Sequence, residues 1–366
     1  MGLNFTMRII FLSILFAGIS INAQFTYPVV KIQDPVQELD TREVFENRII
    51  GNKTIKEIHT TEKTDSKTEV QIKKFDKNGN IIFSSKVTEL PSGRDHFIPP
   101  GLVDFPQAGK NEYNTTWSDG RITSYEYSSD QGRPRKSEIF YDAENNISKI
   151  KEPDQSSEYF YEKGKLSKII TFIGASQQQS SFQYNAAGKM ISSTNELIFP
   201  NGQSKSSSIT FDYDKTGNIL VYRYKNPDDG GTIEKHYTYK NNSLATFLYT
   251  IGKNIREQRT YEYDTTGKLT GMTKTEYDFG SNVVKDKAAF QYRYKNDLIS
   301  EIIRIQGFDD RKATYTDVFS YDNQNRLANI KTKAGNNVFT NIDIVYGKNT
   351  ITLNKEKSQS VYTLYE

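Results

Sequence analysis

The side chains able to do chemistry are unevenly supplied in this 366-residue chain. There is no cysteine, which removes thiolate nucleophiles, thiolate metal sites and disulfides together. The three histidines, His59, His96 and His236, stand in no metal-ligand spacing such as His-x-x-x-His, and none belongs to a zincin pattern. His236 alternates with Glu234 and Thr238, which reads as the solvated face of a strand. No Gly-x-Ser-x-Gly elbow and no Gly-x-x-x-x-Gly-Lys loop occurs, so neither an activated serine nor a phosphate cradle is expected. Carboxylates are abundant, yet spacing alone selects no pair of the kind glycosidases use. Asp212-Tyr213-Asp214-Lys215-Thr216-Gly217 copies the opening of a calcium loop, but the twelfth position is Arg223, where such a loop needs a bidentate Glu. Turn chemistry accounts for that segment better. The expectation is a protein that is not an enzyme and uses no cofactor or metal.

What the chain has in quantity is aromatic surface, with 24 tyrosines and 21 phenylalanines. Such rings stack on sugars and the phenol adds a hydrogen bond, so carbohydrate binding is a natural reading. Most of these rings, however, belong to a repeat. Its box reads aromatic, acid, two variable residues, Gly or Asn, a polar residue, then an aliphatic. Phe75-Asp76-Lys77-Asn78-Gly79-Asn80-Ile81, Tyr213-Asp214-Lys215-Thr216-Gly217-Asn218-Ile219 and Tyr263-Asp264-Thr265-Thr266-Gly267-Lys268-Leu269 show it in full. Tyr141 and Tyr321 open copies with Asn145 and Asn325 in the glycine place, and Tyr184 opens one with Gly188. A shorter form drops one turn residue, as in Tyr161-Glu162-Lys163-Gly164-Lys165-Leu166, Tyr239-Lys240-Asn241-Asn242-Ser243-Leu244 and Tyr294-Lys295-Asn296-Asp297-Leu298. Tyr346-Gly347-Lys348-Asn349 ends the series.

Each box is a β-turn between strands. An Asp at the first turn position accepts a hydrogen bond from backbone two residues on, and Gly or Asn tolerates the positive φ that closes the turn. The long box suits a type I turn ending in a left-handed residue, and the short box a two-residue primed turn. Residues before the boxes alternate strictly, as in Phe290, Tyr292, Tyr294 against Gln291 and Arg293, which means strands with one buried face. Second turns lie between hairpins, marked by Pro227-Asp228-Asp229-Gly230-Gly231, Gly252-Lys253-Asn254, Gly280-Ser281-Asn282 and Gly335-Asn336-Asn337. Helical periodicity is absent apart from a short turn near Asp40 to Asn47. One such hairpin does not bury enough to order itself, so neighbours must share ladders and apolar faces. The predicted fold is all-β, an antiparallel meander of repeated hairpins in one curved or spiral sheet, as an open barrel-like shell or stacked layers.

The box resembles the Tyr-Asp repeat of bacterial Rhs and wall-associated proteins, Tyr-Asp-x-x-Gly-(Arg/Asn/Lys)-(Leu/Ile), over most of the chain from Phe75 to Ile351. In that family the repeats are strips of a large β-shell that encloses a carboxy-terminal toxin. The resemblance implies the fold. The activity is another matter, because the chain is short for an enclosing shell and shows no Asp-Pro closing motif and no toxin domain after Tyr346.

The amino terminus has the order of an export signal over residues 1–23: Arg8, an apolar run from Ile9 to Ile19, and Ala23 before Gln24. The run is too short to span a bilayer, and no later stretch is longer, so no membrane span is expected in the mature chain. The expected location is outside the cytoplasm, periplasmic or secreted. The formal charge of +3 is spread over 48 basic and 45 acidic residues, without the concentrated basic face that nucleic acid needs. Residues 24–110 form an amino-terminal β segment holding the first repeat and a Pro-rich insertion, Leu90 to Lys110, and residues 111–366 form the repeat sheet. Aromatics outside the repeat cluster at that insertion, which makes His96, Phe97, Tyr113 and Trp117 the candidate partner-binding residues. The function expected is an exported binding scaffold for a polysaccharide or an envelope protein. Its alternatives are a short relative of an Rhs-type toxin-delivery shell and an outer-membrane β-barrel, the latter opposed by tyrosine-rich faces and an ending Tyr365-Glu366 without a terminal aromatic.

Overall fold

The computed structural model describes Pro35 and residues 54–365, apart from 65–66, 78–80, 90–108, 119–120, 130–131, 226–230 and 308–311. The turn near Asp40 and the export signal lie outside the described residues.

Twenty-four strands follow one another without a helix among the described residues. The first six are β1 (Ile55–Lys63), β2 (Thr68–Phe75), β3 (Ile81–Glu89), β4 (Gly109–Ser118), β5 (Arg121–Ser129) and β6 (Gly132–Tyr141). Next come β7 (Ile147–Lys151), β8 (Gln155–Glu162), β9 (Lys165–Ile173), β10 (Ser176–Tyr184), β11 (Met190–Ile198) and β12 (Ser204–Tyr213). They continue with β13 (Ile219–Lys225), β14 (Thr232–Lys240), β15 (Ser243–Ile251), β16 (Asn254–Tyr263), β17 (Leu269–Tyr277) and β18 (Val284–Lys295). The last are β19 (Leu298–Gln306), β20 (Ala313–Tyr321), β21 (Leu327–Ala334), β22 (Asn337–Tyr346), β23 (Thr350–Lys355) and β24 (Ser358–Leu364).

Every strand pairs antiparallel with its sequence neighbours, and β24 pairs with β1, Ile58 facing Tyr362 and Thr60 facing Ser360. The meander therefore closes into a barrel. The expected curved meander of hairpins is the one adopted, and it goes beyond an open shell by closing on itself, so a chain short for an enclosing shell is long enough for a complete ring. Closure removes the two free edges that an open meander would expose.

The turns have the chemistry their residues dictate. Long boxes carry one left-handed residue, at Asn145 (φ 73°), Gly188 (φ 81°), Gly217 (φ 87°), Gly267 (φ 84°) and Asn325 (φ 59°). Short boxes carry two, at Lys163 and Gly164, Asn241 and Asn242, and Asn296 and Asp297, as a type I′ turn requires. Every box before the last also holds a bulge, so that Tyr263 faces Leu269 while Glu262 faces Gly271, and both box hydrophobes point the same way.

That way is inward. Phe75, Ile150, Met272, Leu327, Ile330, Ile342, Ile351 and Leu353 are at most 2% exposed. No described element covers the barrel from outside, so the buried face is the interior. The large core joins β1, β2 and β14 to β24, and a smaller one, centred on Ile139, Ile150, Tyr159 and Leu166, lies at β5 to β10. Apolar residues occupy the half of each strand nearest the box. Toward the opposite, far end the same inner face turns polar, as at Glu257, Arg259, Lys274 and Glu276, which are linked by ion pairs of 2.5 to 3.4 Å.

Candidate functional site

Tyrosine recurs in the boxes for a reason that burial alone does not supply. Strand pairing to the following hairpin starts two residues beyond the box aliphatic, as where Leu244 pairs back to Tyr239 but the ladder to β16 begins at Thr246. The aliphatic's carbonyl is thus left without a ladder partner. The phenol of the next box tyrosine donates to it: Tyr141 to Ile122, Tyr161 to Ile147, Tyr184 to Leu166, Tyr213 to Met190, Tyr239 to Ile219, Tyr263 to Leu244, Tyr294 to Leu269, Tyr321 to Ile299 and Tyr346 to Leu327, all at 2.7 to 3.1 Å. The basic residue before the aliphatic lies over the same ring, as Arg121 over Tyr141, Lys165 over Tyr184, Lys189 over Tyr213, Lys268 over Tyr294 and Arg326 over Tyr346. These tyrosines are committed to the wall and leave no phenol for a ligand.

The acids of the boxes are committed as well. Asp214 Oδ1 accepts from the Thr216 hydroxyl at 2.7 Å and from the backbone N–H groups of Thr216 and Asn218, each at 2.8 Å, while Oδ2 accepts from the Asn218 amide. Those bonds, the Thr216 hydroxyl first, hold its pKa down at about 2. The calcium-like segment is a turn whose oxygens are already occupied by donors. Among the described residues no group of three His, Asp or Glu side chains is placed to hold a metal.

A site needs groups that the repeat does not consume, and these occur where the wall is interrupted. β7 has only five residues, so its ladder to β6 covers Glu138 to Tyr141 and leaves the remainder of β6 paired to β5 alone. The β7–β8 turn closes early, with the Glu152 N–H donating to the Gln155 carbonyl at 2.8 Å. Between that turn and the free stretch of β6 lies a cavity of about 380 Å³. Tyr125 and Tyr127 of β5 form its floor, Arg135 and Ser137 of β6 one side, and Glu152 to Gln155 the other.

The cavity is partly preorganised. Tyr125 donates to Glu152 Oε1 at 2.5 Å and the Gln155 amide donates to the other carboxylate oxygen, which fixes Glu152. Tyr127 donates to the Asn111 side-chain carbonyl at 2.9 Å. Arg135 and Asp154 are exposed, with no hydrogen-bond or ion-pair partner among the described residues. Two ring faces beside amide, hydroxyl, guanidinium and carboxylate groups can stack on a ligand and hydrogen-bond around its edge. No histidine lies in the lining.

Of the residues singled out from sequence, His96 and Phe97 lie outside the described residues. The insertion is shorter than its sequence limits, because Gly109 and Lys110 already belong to β4. Tyr113 stands opposite Tyr127 in the β4–β5 ladder, which places it one strand from the cavity floor. Trp117 corrects the reading that put it outside the repeat. It faces Ile122 across a bulge, as Tyr161 faces Leu166, so Trp117-Ser118-Asp119-Gly120-Arg121-Ile122 is a short box with tryptophan in the aromatic place. Its indole N–H donates to Thr115 at 3.0 Å. The cavity residues Tyr125, Tyr127, Arg135, Glu152, Asp154 and Gln155 were missed, although the shortest interval between boxes, Tyr141 to Tyr161, marks the short arm that opens the wall.

No family model matches the chain, and no curated protein does. Solved structures resemble it over much of its length at low identity. A chain of the Photorhabdus luminescens Tc holotoxin pore shares 11% identity over 86% of this chain, with a TM-score of 0.39. This chain spans about a fifth of that one, 21%. A porin-like protein from Bacteroides uniformis shares 11% identity over 86% of this chain and 98% of its own, with a TM-score of 0.24. A porin-like protein from Bacteroides vulgatus shares 12% identity over 62% of this chain and 97% of its own, with a TM-score of 0.22.

Proposed function

We propose that this chain is an exported, non-catalytic binding scaffold whose ligand, a polysaccharide segment, enters the cavity between β6 and the β7–β8 turn. The observation that carries the reading is the pairing of two tyrosine rings with unengaged Arg135 and Asp154 beside the short β6–β7 ladder. Sugar rings are flat, apolar on their faces and rich in hydroxyls at their edges, which matches that lining. The outer face supports a barrel surrounded by water. It carries ion pairs at mid-strand, among them Arg223 with Asp212 (2.6 Å) and Glu234 (3.2 Å), Lys149 with Glu158 (3.0 Å) and Arg293 with Glu301 (2.9 Å). A lipid-facing barrel needs an apolar band at that height.

A glycan array probed with the mature chain tests the reading, with Tyr127→Ala and Arg135→Ala as paired variants. Binding by the parent and its loss in both variants is the expected outcome, and binding that survives both would move the site elsewhere. Replacing residues 90–108 with a short Gly-Ser turn separates the cavity from the insertion. The β3–β4 ladder, from Phe83 facing Asn114 to Thr88 facing Gly109, is untouched by that change, so the fold should persist. Lost binding in this variant with retained binding in the cavity variants would assign the site to the insertion.

A further inference from the structure

The two ends of the barrel differ in their turns. At the box end the described turns are polar apart from alanines, and the exposed apolar side chains there, Val345, Phe140, Phe160 and Leu220, stand on strands one residue from a box hydrophobe. At the far end, large apolar side chains stand in or beside the turns, exposed and outside the core. Phe279 is 68% exposed, Phe339 62%, Val283 57% and Val338 56%. The first and third belong to the β17–β18 turn and the others to the start of β22, four strands away, roughly 19 Å at ordinary strand spacing. Exposed lysines flank them on the same rim, Lys253, Lys285, Lys287 and Lys312, and the Arg256 guanidinium lies 5.3 Å from the centre of the Phe279 ring. Asp278 is an exposed acid beside Phe279, while Asp286 accepts from Gln306.

We propose that this rim docks on an anionic lipid surface, with Phe279, Val283, Val338 and Phe339 entering the interfacial layer and the lysines meeting the head groups. The arrangement distinguishes lipid from protein. A protein partner is held by a contiguous apolar patch, and these two groups of side chains are separated by the strands β19, β20 and β21. A fluid interface accepts each ring independently, and basic residues around such rings add attraction to anionic head groups. The barrel would then stand on the membrane by one end without crossing it.

Co-sedimentation with vesicles tests this. The mature chain should bind vesicles containing phosphatidylglycerol at low salt, weakly or not at all with phosphatidylcholine alone, and lose binding as salt rises. The double variant Phe279→Ser, Phe339→Ser should partition at least about tenfold more weakly. Both residues are exposed, Phe279 in a turn and Phe339 near the start of β22, and an unchanged circular dichroism spectrum would show the fold intact. A Phe279→Trp variant, whose emission should shift to the blue on vesicles, reports insertion directly. Three results would overturn the proposal: no binding to anionic vesicles, binding unaffected by the double variant, or a dimer in sedimentation that the double variant dissociates, which would make the rim a contact between copies of this chain.

Discussion

At the residue scale the box is a device for one carbonyl. The shift between successive hairpins strands the box aliphatic's C=O, the next tyrosine donates to it, and where a Lys or Arg precedes the aliphatic it covers that ring. Phenylalanine would fill the same volume and leave the carbonyl unpaired. Tyr263→Phe should therefore lower stability by about 1 kcal/mol, read as a shift in the urea midpoint without a change in slope. An unchanged midpoint would mean that water satisfies Leu244 equally well. Two other tyrosines supply a pH test. Burial pushes the phenols of Tyr159 and Tyr261 up to about 12, against about 10 in an unfolded chain. Between those values the folded state keeps protons that the unfolded state has lost. Their contribution is whole below pH 10 and drains away as pH rises to 12. Alkaline titration followed by phenolate absorbance should show a late class of tyrosines whose ionisation coincides with unfolding. If all phenols ionise together near pH 10 while the barrel remains folded, the burial assigned to these two is wrong.

At the element scale the hairpin obeys its turn. Gly267 sits at φ 84° with open space where a Cβ would be, so conformation alone opposes a side chain there. Gly267→Val should cost on the order of 1 to 2 kcal/mol, and Gly267→Asn much less, because Asn145 and Asn325 hold the equivalent place in sister hairpins. Thermal midpoints of the two variants give the comparison, and equal losses would remove the turn assignment. Much of this was legible, since turn type, strand alternation and inward face all follow from local rules that recur down the chain. Trp117 escaped because every other copy of the box opens with tyrosine or phenylalanine, though the remaining box residues around it fit the short form. The cavity escaped for a different reason. Its residues come from three successive strands and a turn, and what creates it is the length of one ladder, which depends on where the Glu152-to-Gln155 turn forms and not on any motif.

At the scale of the whole molecule, ring closure depends on residues that the repeat does not announce. β24 and β1 contain no box, yet they complete the barrel. Tyr365, which in sequence served only to oppose an outer-membrane barrel, donates its phenol at 2.6 Å across β1 to the Phe75 carbonyl on β2. Its backbone N–H donates to the Thr54 carbonyl at 3.0 Å, so the first and last strands arrive side by side. Alternation predicts that a sheet must curl, but not that its two ends will meet in register, because the total twist and stagger accumulate over all 24 strands. A closed ring of equivalent ladders has no privileged starting point, and this gives the last prediction. A circular permutant that joins 365 to 54 through a short Gly-Ser linker, and opens the chain between Thr265 and Thr266, should fold, because the linker bridges neighbours and the new ends fall in an exposed turn. Its melting temperature should lie within a few degrees of the parent's, about what a change of ~1 kcal/mol produces. The matched control removes β24, Ser358–Leu364, from the unpermuted chain. That deletion strips Tyr362 from the core, frees the edges of β1 and β23, and should yield aggregate. If the permutant aggregates as the deletion does, the β1–β24 seam is held by more than its ladder, and the segment before Thr54 becomes the place to look for what holds it.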